Sequence, residues 1–72
     1  MVYFYFEELL GRNCKEAYSY YLFIVDWLNN NLPVDVWAFD NSIVLCYNGV
    51  NIPRGFWINN FNDAYAFSRS CF

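Results

Sequence analysis

No histidine occurs anywhere in this chain of 72 residues, and only four of them are lysine or arginine. Histidine is the side chain that titrates near neutral pH. Its absence removes the usual general acid or base and the usual activator of a nucleophilic serine or cysteine. The four bases, Arg12, Lys15, Arg54 and Arg69, are scattered along the chain. Binding to a nucleic-acid backbone needs a basic footprint, and none is legible. Seven carboxylates and a net charge of −3 are also too few to imitate a phosphate array.

Cysteine is present but unhelpful as a framework. Cys14, Cys46 and Cys71 are odd in number and form no CxxC pair. Both a disulfide scaffold and a structural zinc site need more pairs or ligands than this. No metal or other cofactor is expected, and a reducing host cytoplasm is the expected setting. The opening stretch MVYFYFEELL lacks the basic region, extended apolar region and small-residue cleavage site of a secretion signal. No uninterrupted apolar run exceeds six residues, whereas about 20 are needed to span a bilayer. The three glycines show neither GxGxxG nor GxxxxGK spacing, so no phosphate cradle is encoded.

Aromatic residues are what the chain has in excess. Eight Phe, seven Tyr and three Trp make up 25% of it, within a composition that is 58% hydrophobic and 15% charged. Such a chain folds, because disordered segments are poor in rings and rich in charge. Its length suits one domain covering residues 1–72. One small core does not absorb so many rings, and some are expected at the surface, where Tyr and Trp favour protein interfaces.

Local signals divide the chain into alternating elements. Residues 2–6 alternate weakly as a strand, while FEELL followed by Gly11 offers a short helix as the competing reading. Asn13 and Glu16 have the spacing of a capping box, which predicts a helix from about Cys14 to Asn29. Pro33 stops it, since proline disfavours helical geometry in the residue before it. Beyond Pro33, β-rich runs flank Asp40-Asn41 and Asn48-Gly49. These turn signals predict strands near 34–39, 42–47 and 50–53. PRGFWIN either adds a strand at 56–58 or crosses an edge as a loop, with Gly55 serving loop geometry. Asn60, with Asp63 three positions on, caps a last helix whose inner face is expected to hold Phe61, Ala64, Tyr65, Ser68 and Phe72.

The expected fold is therefore α+β: a small two-layer domain in which a three- to four-stranded antiparallel meander packs on a long helix and a short C-terminal helix. Two-residue turns would pair Phe39 with Ser42, Trp37 with Val44, Tyr47 with Val50 and Leu45 with Ile52. That register puts Val34, Val36, Ala38, Ile43, Leu45, Tyr47, Val50 and Ile52 on the core face. Asp35, Trp37, Phe39, Ser42, Val44, Cys46, Asn51 and Pro53 fall on the far face. On the long helix, Ala17, Tyr21, Ile24, Val25 and Leu28 form the inner stripe. Leu22 and Phe23 point outward beside Asp26.

Two candidate contact surfaces follow, each an apolar spot rimmed by an acid. One is Leu22, Phe23 and Asp26. The other is Asp35, Trp37, Phe39 and Val44. Among chemical candidates, Glu7-Glu8 is the one adjacent carboxylate pair and reads as a solvated helix start. Cys14 is the thiol best placed for reactivity, at a helix N-terminus between Arg12 and Lys15, although no general base accompanies it. A small, acidic, aromatic-rich chain without motifs resembles, in type alone, the inhibitors that phages and mobile elements direct at host machinery, anti-CRISPR proteins included. The expected function is non-enzymatic binding to a protein partner by steric occlusion, with neither nucleic acid nor membrane as the direct target. A homodimer or small structural subunit is the alternative, and a thiol enzyme or redox protein using Cys14 is the second.

Overall fold

A computed structural model of the chain describes residues 1–11, 17–47 and 49–71, the side chains of Ile43, Leu45 and Tyr47 excepted. The order of elements is β1 (Val2–Tyr5), α1 (Phe6–Gly11), α2 (Ala17–Asn31), β2 (Trp37–Tyr47), β3 (Val50–Ile58) and α3 (Phe61–Cys71). The strands form one antiparallel sheet in the order β1-β3-β2, so the α+β class and its packing are as the sequence predicts. Both readings of the N-terminus hold in succession, a strand over Val2–Tyr5 and then a one-and-a-half-turn helix. The capping box at Asn13 and Glu16 lies outside the described residues.

Helix ends follow the sequence closely. The chain leaves α2 just before Pro33, and Asn31 closes it by donating its side-chain amide to the Trp27 carbonyl at 2.9 Å. Pro33 then opens a turn in which Val36 donates its N–H to the Pro33 carbonyl at 3.1 Å. At the start of α3, Asn60 Oδ1 accepts the Asp63 N–H at 2.8 Å and the Asn60 amide donates to the Asp63 carboxylate, as a cap should.

The expected hairpin at Asp40-Asn41 does not form. Residues 37–47 are one continuous strand, and the turn chemistry is used within it. Asp40 Oδ1 accepts the Ser42 N–H at 3.0 Å, an Asx turn that produces a bulge. The register moves there from Asp40 opposite Gly55 to Val44 opposite Pro53. A reversing hairpin would have put even-numbered residues before the turn and odd-numbered ones after it on the same face. A strand that runs straight through keeps one parity on each face. Trp37 and Phe39 therefore stand opposite Ile58 and Phe56, on the side packed by the helices, and Ala38 points the other way. After the bulge the expected pairs Leu45 with Ile52 and Tyr47 with Val50 are present. Gly49, at φ +80°, supplies the positive φ that this turn needs. PRGFWI is the second half of β3, which makes β3 the central strand.

One core joins both layers. Phe6, Leu9 and Leu10 of α1, Ala17, Ile24 and Leu28 of α2, Ile52, Phe56 and Ile58 of β3, and Ala64, Phe67 and Cys71 of α3 are all buried. The inner stripe of α2 matches expectation at Ala17, Tyr21, Ile24 and Leu28, while Val25 is half-buried beside it. That of α3 is rotated: Phe67 and Cys71 are buried with Ala64, while Phe61 and Tyr65 are exposed. Phe67 wins the inward position because three rings await it. Its own ring lies 4.8 Å from Phe4, 5.2 Å from Phe56 and 5.6 Å from Trp27. Each such pair adds about 1 kcal/mol beyond the area it buries. Tyr20 completes the helix layer by donating its hydroxyl to the Cys71 carbonyl.

Gly55 is a close approach within the sheet and not a loop residue. A Cβ there would collide with the Phe4 carbonyl oxygen and sit 2.9 Å from two carbons of the Tyr3 ring. Gly55→Ala should cost about 2 kcal/mol and lower Tm by roughly 10 °C, read by thermal denaturation. Trp37→Asp tests the corrected face. A carboxylate set among Phe39, Ile58 and the core should cost roughly 3 kcal/mol and leave little folded protein by circular dichroism.

Candidate functional site

The outward surface of α2 is where an apolar site survives. Leu22 is 47% exposed and Phe23 49%, and Asp26, one turn on from both, is exposed beside them. Phe23 is not a loose ring. It stacks on Tyr20 with centroids 6.3 Å apart, and Tyr20 is held to α3 through its hydroxyl. Tyr18, 43% exposed, lies one turn before Leu22 and stacks on Tyr21. The helix thus presents a fixed apolar surface with a carboxylate at its border.

The second expected surface does not assemble. Trp37 and Phe39 turn toward the helices, where their rings meet edge to face at 4.9 Å. Val44 remains on the opposite, outer face and is exposed. Asp35 sits in the turn before β2, its carbonyl accepting the Asn59 side-chain amide at 3.0 Å. The four residues share no patch, because the uninterrupted strand inverts the face assignment of its first half.

In place of Trp37 and Phe39, the outer sheet face carries a polar clasp that sequence reading missed. Tyr3 of β1 reaches across β3, over Gly55, and donates its hydroxyl to Asp40 Oδ2 of β2 at 2.6 Å. Tyr5 and Trp57 pack edge to face against the Tyr3 ring at 4.6 and 5.4 Å. Burial, followed by the acceptor and charge of Asp40, pushes the Tyr3 hydroxyl up to about 12. Donation from Tyr3, then from Ser42, holds the Asp40 carboxyl below its ordinary value. Only pairing β1 and β2 on either side of β3 brings these residues together, and no local spacing encodes that.

Other chemical candidates stand apart from one another. Cys14 lies outside the described residues. Cys46 is exposed, and burial pushes the Cys71 thiol up to about 11, which keeps it protonated. Glu7 and Glu8 occupy the exposed first turn of α1 and line, with Tyr5 and Arg54, an open cleft of about 530 Å³. The Arg54 guanidinium rests over the Tyr5 ring at 5.4 Å. The cleft is open to solvent, and nothing there excludes water from a reacting group. Among the described residues, no three metal-ligating side chains converge, and no helix is long and apolar enough to cross a membrane.

The Tyr3–Asp40 pair predicts a two-sided pH response. Asp40, lowered in the folded state, contributes stability that is present above the ordinary carboxylate range and lost as pH falls through its folded value. Tyr3, raised in the folded state, contributes stability that is complete below 10 and lost as pH rises toward about 12. Tyr3→Phe should therefore lower stability by a constant amount between about pH 5 and 9, and the deficit should shrink on both sides of that window. Urea denaturation of both proteins inside that window and on either side of it measures the change.

No family model, curated protein or solved structure matches this chain.

Proposed function

We propose that this protein is a non-enzymatic binding module that acts by covering a site on a protein partner, in the manner of the small inhibitors phages and mobile elements use against host machinery. The observation that carries the reading is the outward pair Leu22 and Phe23 on α2, half-exposed and braced beside Asp26. Exposed apolar side chains on a rigid element, bordered by charge, have the make-up of an interface centre with a polar rim. The matching partner surface is an apolar pocket with a lysine or arginine at its edge, placed to meet Asp26. Size suits occlusion. The molecule measures 32 × 24 × 18 Å, and its broad side is comparable with the footprint of about 800 Å² per partner that a standard interface buries.

Affinity capture with paired baits tests this. Immobilised wild-type protein should retain a host nuclease, polymerase or defence complex from bacterial lysate. Phe23→Asp should keep the wild-type circular dichroism spectrum and a stability within about 1 kcal/mol, because its ring is not core. It should nonetheless weaken capture by a factor of about 30, the effect of losing a central contact worth about 2 kcal/mol. Failure to retain any such complex, or equal retention by both baits, rejects the proposal.

A further inference from the structure

Among the described residues, the longest strand is paired on one side only. β2, with 11 residues, stands at an edge in the order β1-β3-β2, and the backbone groups along its other side face away from β3. Among the described residues, no loop or helix hydrogen bond covers them. Edge strands attract other strands unless lysine, proline, a bulge or an inward charge blocks the approach. Residues 41–47 contain no charged residue and no proline. The bulge between Asp40 and Val44 guards the first half of the edge, but from Val44 to Tyr47 the pairing with β3 is regular.

We propose that Val44–Tyr47 pairs antiparallel with the same segment of a second copy of this chain, joining two three-stranded sheets into one. This surface is separate from the α2 patch. Hydrogen-bond geometry identifies the occupant as a strand, and three features select a second copy. First, a segment paired antiparallel with itself about a two-fold axis is complementary by construction, so the matching edge is present wherever the chain is. Second, the net charge of −3 makes copies repel, and this edge brings them together where neither is charged, with Asp35 and Asp40 set back beyond the bulge. Third, the exposed Val44 and Cys46 both lie on the outer face. With both helix layers on one side of the joined sheet, facing residues share parity, so Val44 and Cys46 meet Val44 or Cys46 of the second copy. Their outer-face side chains are then covered by each other.

Analytical ultracentrifugation of the full chain from about 1 to 300 µM tests this, because association follows mass action. Wild-type protein should form a dimer. Val44→Lys sets two ammonium groups opposite or diagonal to each other on one face of the seam and should raise the dimer dissociation constant at least tenfold, with an unchanged circular dichroism spectrum. Phe23→Asp should leave the dimer intact. A wild-type chain that stays monomeric throughout overturns the proposal, as does a dimer that survives Val44→Lys or one that Phe23→Asp dissolves. Should Val44→Lys fail to fold, Cys46→Lys at the neighbouring exposed position applies the same test.

Discussion

Phe56 is the side chain on which the two layers converge. Its ring is fully buried and lies 5.2 Å from Phe4 of β1, from Phe6 of α1 and from Phe67 of α3. Its backbone stands opposite Phe39 of β2. Four elements are thereby tied to one position of the central strand. A buried phenylalanine contributes about 2 kcal/mol by area alone, and its three ring neighbours add comparable amounts together. The neighbouring Gly55 makes this possible, since the absent Cβ leaves space for Tyr3 to cross the outer face while Phe56 fills the inner one.

Much of this arrangement was readable wherever a signal was local. The stop at Pro33, the cap at Asn60, the inner stripe of α2 and the turn at Gly49 each rest on residues within a single helix or a single hairpin. Long-range competition decided the rest. Asp40-Asn41 has genuine turn chemistry, but an Asx turn serves a bulge as well as it serves a hairpin. The choice depended on whether PRGFWI would extend β3 and give residues 37–40 a partner. Once it did, Trp37 and Phe39 moved to the core. The rotation of α3 has the same origin. Its sequence allows two apolar stripes, and the aromatic cluster of Phe4, Phe56 and Trp27 chose the one that contains Phe67.

For the candidate site, the difference between the two surfaces is instructive. Leu22 and Phe23 were placed by a helix periodicity that needs no knowledge of the sheet, and they are exposed. The Trp37 surface depended on a strand register, where one wrong turn reverses every side chain. The excess of rings implies that some lie at the surface, and Tyr5, Tyr18, Phe23, Phe61 and Tyr65 are exposed there. Many of them sit in a layer linking strands to helices, with a second cluster of Tyr3, Tyr5 and Trp57 on the outer face.

The pairing of β1 with β3 also bears on how the molecule comes to be folded. Val2 is matched to Ile58, near the opposite end of the chain. Contacts between such distant positions close slowly, because the intervening loop must lose its freedom before any ladder bond rewards it. During synthesis, Val2, Phe4 and Phe6 emerge before β3 and have no sheet to join until that strand has been made. The helices and the β2–β3 hairpin rest on local contacts, whereas the β1–β3 ladder has to wait for β3. The rings of β1 are thus made well before the strand that covers them, and they wait as exposed apolar surface in the interval.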